Sequence, residues 1–274
     1  MEASPALRDI QANKLGCSHP ANKDARPSTN YSDTYYGMEN IAVKWHPIFS
    51  EIPLVRPTLF ICQEFFDALP VYQFQYTNKG WREKMVDLNR SKKTKEAFEY
   101  VLSPFQTLTT KMLIEEGINP LKRDKSANYV GDSFEVSPES EAFMQKIGET
   151  INNYGGAGIV IDYGHNHPIS NSLRAIRQHK FESIFENVGS ADLSVNVDFS
   201  SLANSVKDGN EKVKVNALLT QREWLEEMGI DARLTSLLRD CDDEEDAETL
   251  TQGFHRLTSD DEMGKIYKVL TFYN

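Results

Sequence analysis

Two carboxylates, Glu64 and Asp67, stand three positions apart in the segment Glu64-Phe-Phe-Asp-Ala-Leu-Pro70. The phenylalanines between them favour partial desolvation, and both acids can then attract one cation. A guanidinium group suits such a pair, because its planar fork of N–H donors matches carboxylate oxygens. The spacing alone leaves another interpretation open, in which Asp67 caps a turn and Glu64 is an ordinary acid at a strand end.

A second polar group follows an apolar run. Asp162-Tyr163-Gly164-His165 comes directly after Ala157-Gly-Ile-Val-Ile161. Gly164 would allow a close backbone approach, and His165 can transfer a proton near neutral pH. These residues are candidates for a cofactor or substrate edge. The alternative is a strand end that leads into a turn.

The one basic cluster of the chain runs from Ser172 to Lys180 and includes Arg174, Arg177 and His179. It could hold an acidic partner, or it could pair with nearby acids of the same chain. No G-x-S-x-G, Walker, H-E-x-x-H or G-x-G-x-x-G motif occurs, which argues against serine hydrolases, P-loop enzymes, zinc proteases and self-sufficient dinucleotide binders.

The charge and composition of the chain exclude some classes of partner. With 274 residues and a formal net charge of −11, the chain is expected to form one domain over residues 1–274 and not to bind nucleic acid. No apolar run is long enough for a membrane span. Three widely spaced cysteines without a CxxC pair predict no metal site. The N-terminal residues do not resemble a transit peptide. A homo-oligomer is left open.

The elements that must position these residues alternate between strands and helices. Leu59-Phe-Ile-Cys62 is predicted to be a strand buried on both faces, and Ala157–Ile161 is predicted to be a second one. Between them, Ser137 and Pro138 begin a capped helix that ends near Gly155-Gly156. This alternation predicts an α/β fold with an open, mostly parallel sheet, in which ligands bind at the carboxyl ends of the strands.

Several further elements are predicted from spacing and turn residues. They are a helix over 4–15 with Ser4 as its N-cap, a loop over 18–37, a β-hairpin region over 71–102, two helices over 218–228 and 232–238 broken at Gly229, a solvated acidic run over 242–248 and a strand over 267–272.

Five ordered motifs resemble the MidA-type family of mitochondrial protein arginine methyltransferases, which act as respiratory complex I assembly factors. The motifs are Glu64-Phe-Phe-Asp-Ala-Leu-Pro-Val71, Gly80-Trp-Arg-Glu83, Ile161-Asp-Tyr-Gly-His165, Leu173-Arg-Ala175 and Ala191-Asp-Leu-Ser-Val-Asn-Val-Asp-Phe199. The resemblance covers nearly the whole chain.

The resemblance implies a Rossmann-like, S-adenosylmethionine-dependent methyltransferase fold. It also implies symmetric dimethylation of an arginine on a complex I subunit in the mitochondrial matrix. Glu64 and Asp67 would hold and orient the substrate guanidinium, and Glu2 would bind the cofactor ribose. Asp162, Tyr163 and His165 would border the substrate. Against the family pattern, the chain begins one strand and one glycine-rich turn late.

Three hypotheses follow. The first is an active arginine methyltransferase represented here by part of its sequence. The second is a non-catalytic assembly or scaffold protein that has lost cofactor binding. The third, an unrelated small-molecule methyltransferase, fits the fold but does not fit the motifs.

Overall fold

The computed structural model describes residues 1–17, 34–37, 41–90, 96–116, 129–178, 180–241 and 243–274. The chain divides into two compact units, residues 1–55 and 56–274. The single domain expected over residues 1–274 stays a prediction. Of the candidate site residues, Glu2 belongs to the first unit and all the others belong to the second.

The first unit contains helix α1 (Pro5–Lys14) and the paired strands β1 (Tyr35–Tyr36) and β2 (Ala42–Val43). The predicted cap is confirmed, because the Ser4 side chain accepts a hydrogen bond from the Leu7 N–H. Within the range predicted as a loop, residues 18–33 lie outside the described residues, and β1 occupies positions 35 and 36.

The strands of the second unit are, in chain order, β3 (Thr58–Gln63), β4 (Tyr72–Thr77), β5 (Gly80–Leu88), β6 (Phe98–Leu102), β7 (Ser133–Val136), β8 (Gly156–His165), β9 (Arg174–Arg177), β10 (Lys180–Glu182), β11 (Asp192–Ser194), β12 (Val197–Asp198), β13 (Lys214–Val215), β14 (Leu219–Thr220) and β15 (Tyr267–Tyr273). Its helices are α2 (Leu108–Thr110), α3 (Pro138–Tyr154), α4 (Phe199–Lys207), α5 (Gln221–Glu227), α6 (Ile230–Arg239), α7 (Glu244–Thr258) and α8 (Met263–Ile266).

The central sheet is organised around β8. Along one side of β8, β3 pairs in parallel with residues 156–161 and β12 pairs in parallel with residues 164 and 165. Along the other side, β15 pairs antiparallel with residues 157–163, and β13 and β14 pair with the outer edge of β15. The sheet is therefore mixed and not mostly parallel as predicted, since apolar periodicity does not encode the direction of a strand.

Helices α3 and α4 pack together and contact the strands β3 and β8. The buried core of this unit includes Met144 and Ile151 of α3 and Leu202 of α4, together with Val160 of β8 and Leu270 of β15. The start of α3 is as predicted, with the Ser137 side chain accepting from the Ser140 N–H and proline in the first turn. The two helices cross closely, since a Cβ at Gly148 would lie 2.3 Å from the carbonyl oxygen of Val206.

Strand β3 corrects one prediction. Leu59 and Ile61 are 79% and 77% exposed, whereas the alternate residues Phe60 and Cys62 are partly buried. A continuous apolar run predicts burial on both faces, but this strand is covered on one face only. Among the described strands it pairs with β8 alone. The β3 side chains on the exposed face therefore contribute little to the packed core.

Two smaller sheets complete the second unit. One has the strand order β6-β5-β4-β7 and packs around Phe74, Trp81 and Phe134. The turn between β4 and β5 closes with Thr77 opposite Gly80, which has a φ of +87° that glycine adopts readily. The other has the order β10-β9-β11. Both lie between elements of the central sheet in the sequence.

The late helices break as predicted, because Gly229 between α5 and α6 is in the left-handed region. Of the acidic run, Asp242 lies outside the described residues, and the Asp243 side chain caps α7 by accepting from the Asp246 N–H. Over the described part of the chain, no helix combines the length and apolar character needed to cross a bilayer.

Replacing Ile61 or Ile151 by alanine tests this description of the core, because Ile61 is exposed and Ile151 is fully buried. We expect Ile151→Ala to lower the free energy of unfolding by about 2–5 kcal/mol, from lost burial and a residual cavity. Ile61→Ala should change it by about 0.5 kcal/mol or less. Urea unfolding of both variants measures the difference, and equal losses would contradict the one-sided burial of β3.

Candidate active site

The site begins where the chain leaves β3. Glu64 follows the last residue of this strand and has a φ of +46°, a left-handed conformation that is uncommon for residues other than glycine. Its N–H donates to the carbonyl oxygen of Ile161 at 2.9 Å, which continues the pairing with β8 by one residue. The chain then turns sharply, so the segment 64–70 lies at the carboxyl ends of β3 and β8.

Asp162 fixes this turn to the sheet. Its side chain is 0% exposed, and its Oδ2 accepts hydrogen bonds from the N–H groups of Phe66 and Asp67, both at 3.2 Å. Its Oδ1 accepts from the N–H of Tyr163 at 2.9 Å. One buried carboxyl group thus satisfies three backbone donors on two different segments.

Burial, and secondarily the nearby charge of Asp67, raises the pKa of Asp162 to about 8. The three backbone hydrogen bonds act in the opposite direction, because they favour the ionised form. The net shift is upward, so burial and the charge of Asp67 outweigh the three hydrogen bonds.

Asp67 is largely buried within the turn. Its carboxylate accepts a short hydrogen bond from the Tyr163 hydroxyl, which also contacts the hydroxyl of Ser194. The carbonyl oxygen of Asp67 accepts from the N–H of Val195 at 2.9 Å. Burial, followed by the hydrogen bond to Asp67, raises the pKa of Tyr163 to about 12, so its hydroxyl remains a donor at neutral pH.

Glu64 is the exposed carboxylate of the pair. Its Oε1 accepts a hydrogen bond from the Tyr267 hydroxyl at 3.2 Å. Tyr267 lies opposite Tyr163 in the β15–β8 pairing, and the two rings meet edge to face with their centroids 5.4 Å apart. Burial and the charge of Glu64 raise the pKa of Tyr267. Tyr163 therefore contacts Asp67, and Tyr267 contacts Glu64.

Residues 162–165, which were expected to be the polar end of the apolar strand, form the last four positions of β8. Gly164 does permit a close backbone approach, but to the neighbouring strand: a Cβ there would lie 2.1 Å from the carbonyl oxygen of Val197. His165 is exposed and stacks on His167 with centroids 4.9 Å apart. Partial burial, then the charges of His167 and Lys268, lower the pKa of His165.

The basic cluster separates into two parts. The guanidinium of Arg174 lies 4.7 Å from the centroid of the Tyr163 ring and donates to the side-chain oxygen of Asn196 at 2.8 Å. Arg177 instead forms an ion pair with Glu182 at 2.7 Å. His179 lies outside the described residues. Arg174 is thus part of the site's surroundings, whereas Arg177 pairs with an acid of the same small sheet.

Glu2 belongs to the first unit, where its carboxylate is held on both oxygens. Oε1 accepts from the Ser4 N–H at 2.8 Å, and Oε2 accepts from the side-chain amide of Gln11 at 3.1 Å. Gln11 in turn accepts a hydrogen bond from the Trp45 indole. Each carboxylate oxygen keeps a second lone pair for a further donor.

Sequence reasoning gave no role to Tyr267, Ser194 or Arg174 in relation to the carboxylates. Ser194 and Arg174 do lie in the family motifs, which was the one available signal. Tyr267 is 203 positions from Glu64, and only the antiparallel pairing of β15 with β8 brings it there. Within the described ranges, His, Cys, Asp and Glu side chains form no group of three or more that could hold a metal ion.

Residues 1–217 match the family described as "Putative S-adenosyl-L-methionine-dependent methyltransferase". The chain is 33% identical over 270 residues to the mitochondrial protein arginine methyltransferase NDUFAF7 of Xenopus tropicalis, covering 98% of this chain and 58% of that protein. It is 34% identical over 275 residues to the Caenorhabditis elegans homologue, covering 100% of this chain and 60% of the homologue. The chain therefore spans about three fifths of the length of these relatives.

Two solved structures from Burkholderia thailandensis share the fold. One, of an uncharacterised protein, superimposes with a TM-score of 0.66 at 22% identity, covering 84% of this chain and 58% of the other. The second, from the same superfamily and bound to S-adenosyl-homocysteine, gives a TM-score of 0.63 at 20% identity, covering 82% of this chain and 56% of the other. The predicted α/β methyltransferase fold is confirmed. Because the family match extends over residues 1–217, which are most of this chain, the chain belongs to this family of S-adenosyl-L-methionine-dependent methyltransferases.

Proposed function

We propose that the protein is an S-adenosylmethionine-dependent protein arginine methyltransferase that acts in mitochondria on a subunit of respiratory complex I, dimethylating its arginine symmetrically. The names of the relatives support the substrate class and the compartment. The observation that carries the proposal is the pairing of an exposed Glu64 with a buried Asp67 in one turn at the carboxyl ends of β3 and β8. Ligands of α/β sheets bind at this edge.

Glu64 is proposed to bind the substrate guanidinium. It is exposed, and Tyr267 holds one of its oxygens, so the carboxylate is oriented while Oε2 remains able to accept from a guanidinium N–H. Asp67 lies deeper, and its charge, held in place by Tyr163, adds to the attraction for a cation. Glu64 thus contacts the guanidinium directly, and Asp67 adds to the attraction through its negative charge.

The carboxylate of Glu2 fits the proposed cofactor, because its two oxygens can accept hydrogen bonds from the two hydroxyls of a ribose. When bound, S-adenosylmethionine would supply a sulfonium methyl group, for which transfer depends chiefly on positioning of the acceptor nitrogen. Glu64 orients that nitrogen through the guanidinium. The nitrogen loses a proton on methylation, and Glu64 is the exposed base placed to take it.

Asp162 is proposed to be a positioning residue. It contacts no solvent, and its three backbone bonds fix the turn that presents Glu64 and Asp67. Without Asp162, the turn would lose its attachment to β8 through Phe66 and Asp67.

The decisive variant is Glu64→Gln, which keeps the size of the side chain and removes its charge and basicity. We expect methyl transfer to an arginine peptide to fall by about 10²–10³-fold, with cofactor affinity unchanged because Glu64 contacts the substrate. Transfer is measured with radiolabelled S-adenosylmethionine, and affinity by calorimetry. Glu99→Gln, at an exposed position of strand β6, is the matched control. Wild-type turnover in the Gln variant would remove Glu64 from the site.

A pH dependence follows from Asp162. Its pKa in the folded protein, about 8, exceeds its usual value of 3.8, so folding binds a proton between these pH values. The resulting stabilisation is complete below about pH 4 and is lost as the pH rises through 8. The side chain introduced by Asp162→Asn cannot bind this proton, so the stability advantage of the wild type over the variant should shrink between pH 5.5 and about 8.5.

Urea unfolding across that range measures the advantage. The exposed substitution Asp261→Asn serves as control and should give a difference from wild type that does not vary with pH. Parallel pH profiles for the wild type and Asp162→Asn would mean that the buried carboxyl is ionised throughout.

A further inference from the structure

Gln11 connects Glu2, the residue proposed to bind the ribose, to the core of the first unit. Its side-chain oxygen accepts a hydrogen bond from the Trp45 indole at 2.8 Å, and its side-chain nitrogen donates to Oε2 of Glu2 at 3.1 Å. Gln11 is an exposed residue, and such residues ordinarily have their polar groups in water. Both ends of this amide are instead engaged by residues 34 and 9 positions away.

Trp45 is the fixed end of this connection. It is 6% exposed and belongs to the buried cluster with Ala12 and Tyr35. The rings of Tyr35 and Trp45 meet edge to face with their centroids 5.7 Å apart. A buried indole N–H requires an acceptor, and Gln11 supplies one. The position of the Gln11 amide is therefore set by a packed side chain of the core.

The two partners also determine which way the amide faces. An indole N–H can only donate, and a carboxylate can only accept. If the amide were rotated by half a turn, its NH2 group would face the Trp45 donor and its oxygen would face the Glu2 acceptor. Both hydrogen bonds would then be lost. Gln11 therefore presents a donor of fixed orientation to Glu2.

The backbone holds Glu2 at two other points. Oε1 accepts from the Ser4 N–H at 2.8 Å, and the Glu2 N–H donates to the carbonyl oxygen of His46 at 2.9 Å. Ser4 is the N-cap of α1, so Oε1 also lies near the positive end of the helix dipole. Of these three contacts, only the one from Gln11 comes from a side chain. It is therefore the contact that a substitution can remove.

We propose that Gln11 is a positioning residue for cofactor binding, which orients the Glu2 carboxylate toward the ribose hydroxyls of S-adenosylmethionine. This rests on the proposed function, in which Glu2 accepts hydrogen bonds from those hydroxyls. A carboxylate that is already oriented loses less conformational freedom when the ribose binds, so the affinity is higher. Gln11 acts through Glu2 and not by contact with the cofactor.

Two ligands isolate this effect, namely adenosine and the dideoxyadenosine that lacks both ribose hydroxyls. Calorimetry measures the dissociation constant of each ligand for the 274-residue protein. We expect the wild type to bind adenosine at least about tenfold more tightly, because hydrogen bonds to a charged group are strong. The ratio of the two constants is the readout. A residue with a merely structural role would weaken both ligands and leave the ratio unchanged.

Two substitutions of Gln11 separate the donor from the charge. Gln11→Glu keeps the size of the side chain and an acceptor for Trp45, but replaces the donor to Glu2 by a negative charge. Gln11→Leu removes the donor without adding charge. We expect the preference for adenosine to fall at least about fivefold in both variants, with the dideoxyadenosine affinity unchanged. Asn13→Asp, exposed on the same helix, adds a charge as the control and should keep the wild-type ratio.

Circular dichroism verifies that each variant is folded. If Gln11→Leu retains the wild-type ratio, charge repulsion alone explains Gln11→Glu and the proposal is wrong. A wild-type protein that binds both ligands equally would contradict the role of Glu2 and, with it, that of Gln11.

Methyl transfer separates this proposal from the proposed function. Transfer to an arginine peptide by Gln11→Leu, with the wild-type KM for S-adenosylmethionine, would overturn the role of Gln11 and leave the proposed function standing. An adenosine preference that depends on Gln11, together with transfer to lysine peptides and not to arginine peptides, would support Gln11 and contradict the proposed function.

Discussion

The candidate site depends on one buried carboxyl group. Asp162 accepts backbone hydrogen bonds from Phe66, Asp67 and Tyr163, and so joins a strained turn after β3 to the central strand β8. Glu64 needs this attachment because its left-handed backbone is unfavourable by itself and persists only where the surroundings determine it. A fully buried acid is costly unless it is hydrogen-bonded, and the two oxygens of Asp162 accept from three backbone N–H groups.

The other contacts of the candidate site begin at Tyr163, which follows Asp162 in β8. Tyr163, the next residue of β8, reaches Asp67 and Ser194, and its ring contacts Tyr267, which reaches Glu64. The antiparallel pairing of β15 places Tyr267 opposite Tyr163. Tyr267 of β15 therefore holds the exposed carboxylate of Glu64, and Tyr163 of β8 holds the buried carboxylate of Asp67.

The apolar run before Gln63 predicted that Glu64 and Asp67 follow the end of a strand, and the structure has both residues in one turn after β3. That this turn is the active site stays a prediction, which rests on the binding of ligands at the carboxyl ends of strands in α/β proteins. The division of roles could not be predicted: Asp162 was assigned to the substrate edge, yet it is fully buried, and burial depends on how α3 and α4 pack. The predicted burial of Leu59 and Ile61 was wrong for the same reason, since an apolar run does not reveal which face of a strand is covered. Tyr267 was missed because strand pairing over 203 positions leaves no local pattern.

The central claim is that the turn at Glu64 receives the substrate guanidinium. The most direct measurement is a crystal structure of the protein with S-adenosyl-homocysteine and an arginine peptide bound. The account predicts a guanidinium nitrogen within about 3 Å of a Glu64 carboxylate oxygen, with the turn still bonded to Asp162. An arginine bound elsewhere, with Glu64 in contact only with Tyr267 and solvent, would contradict it.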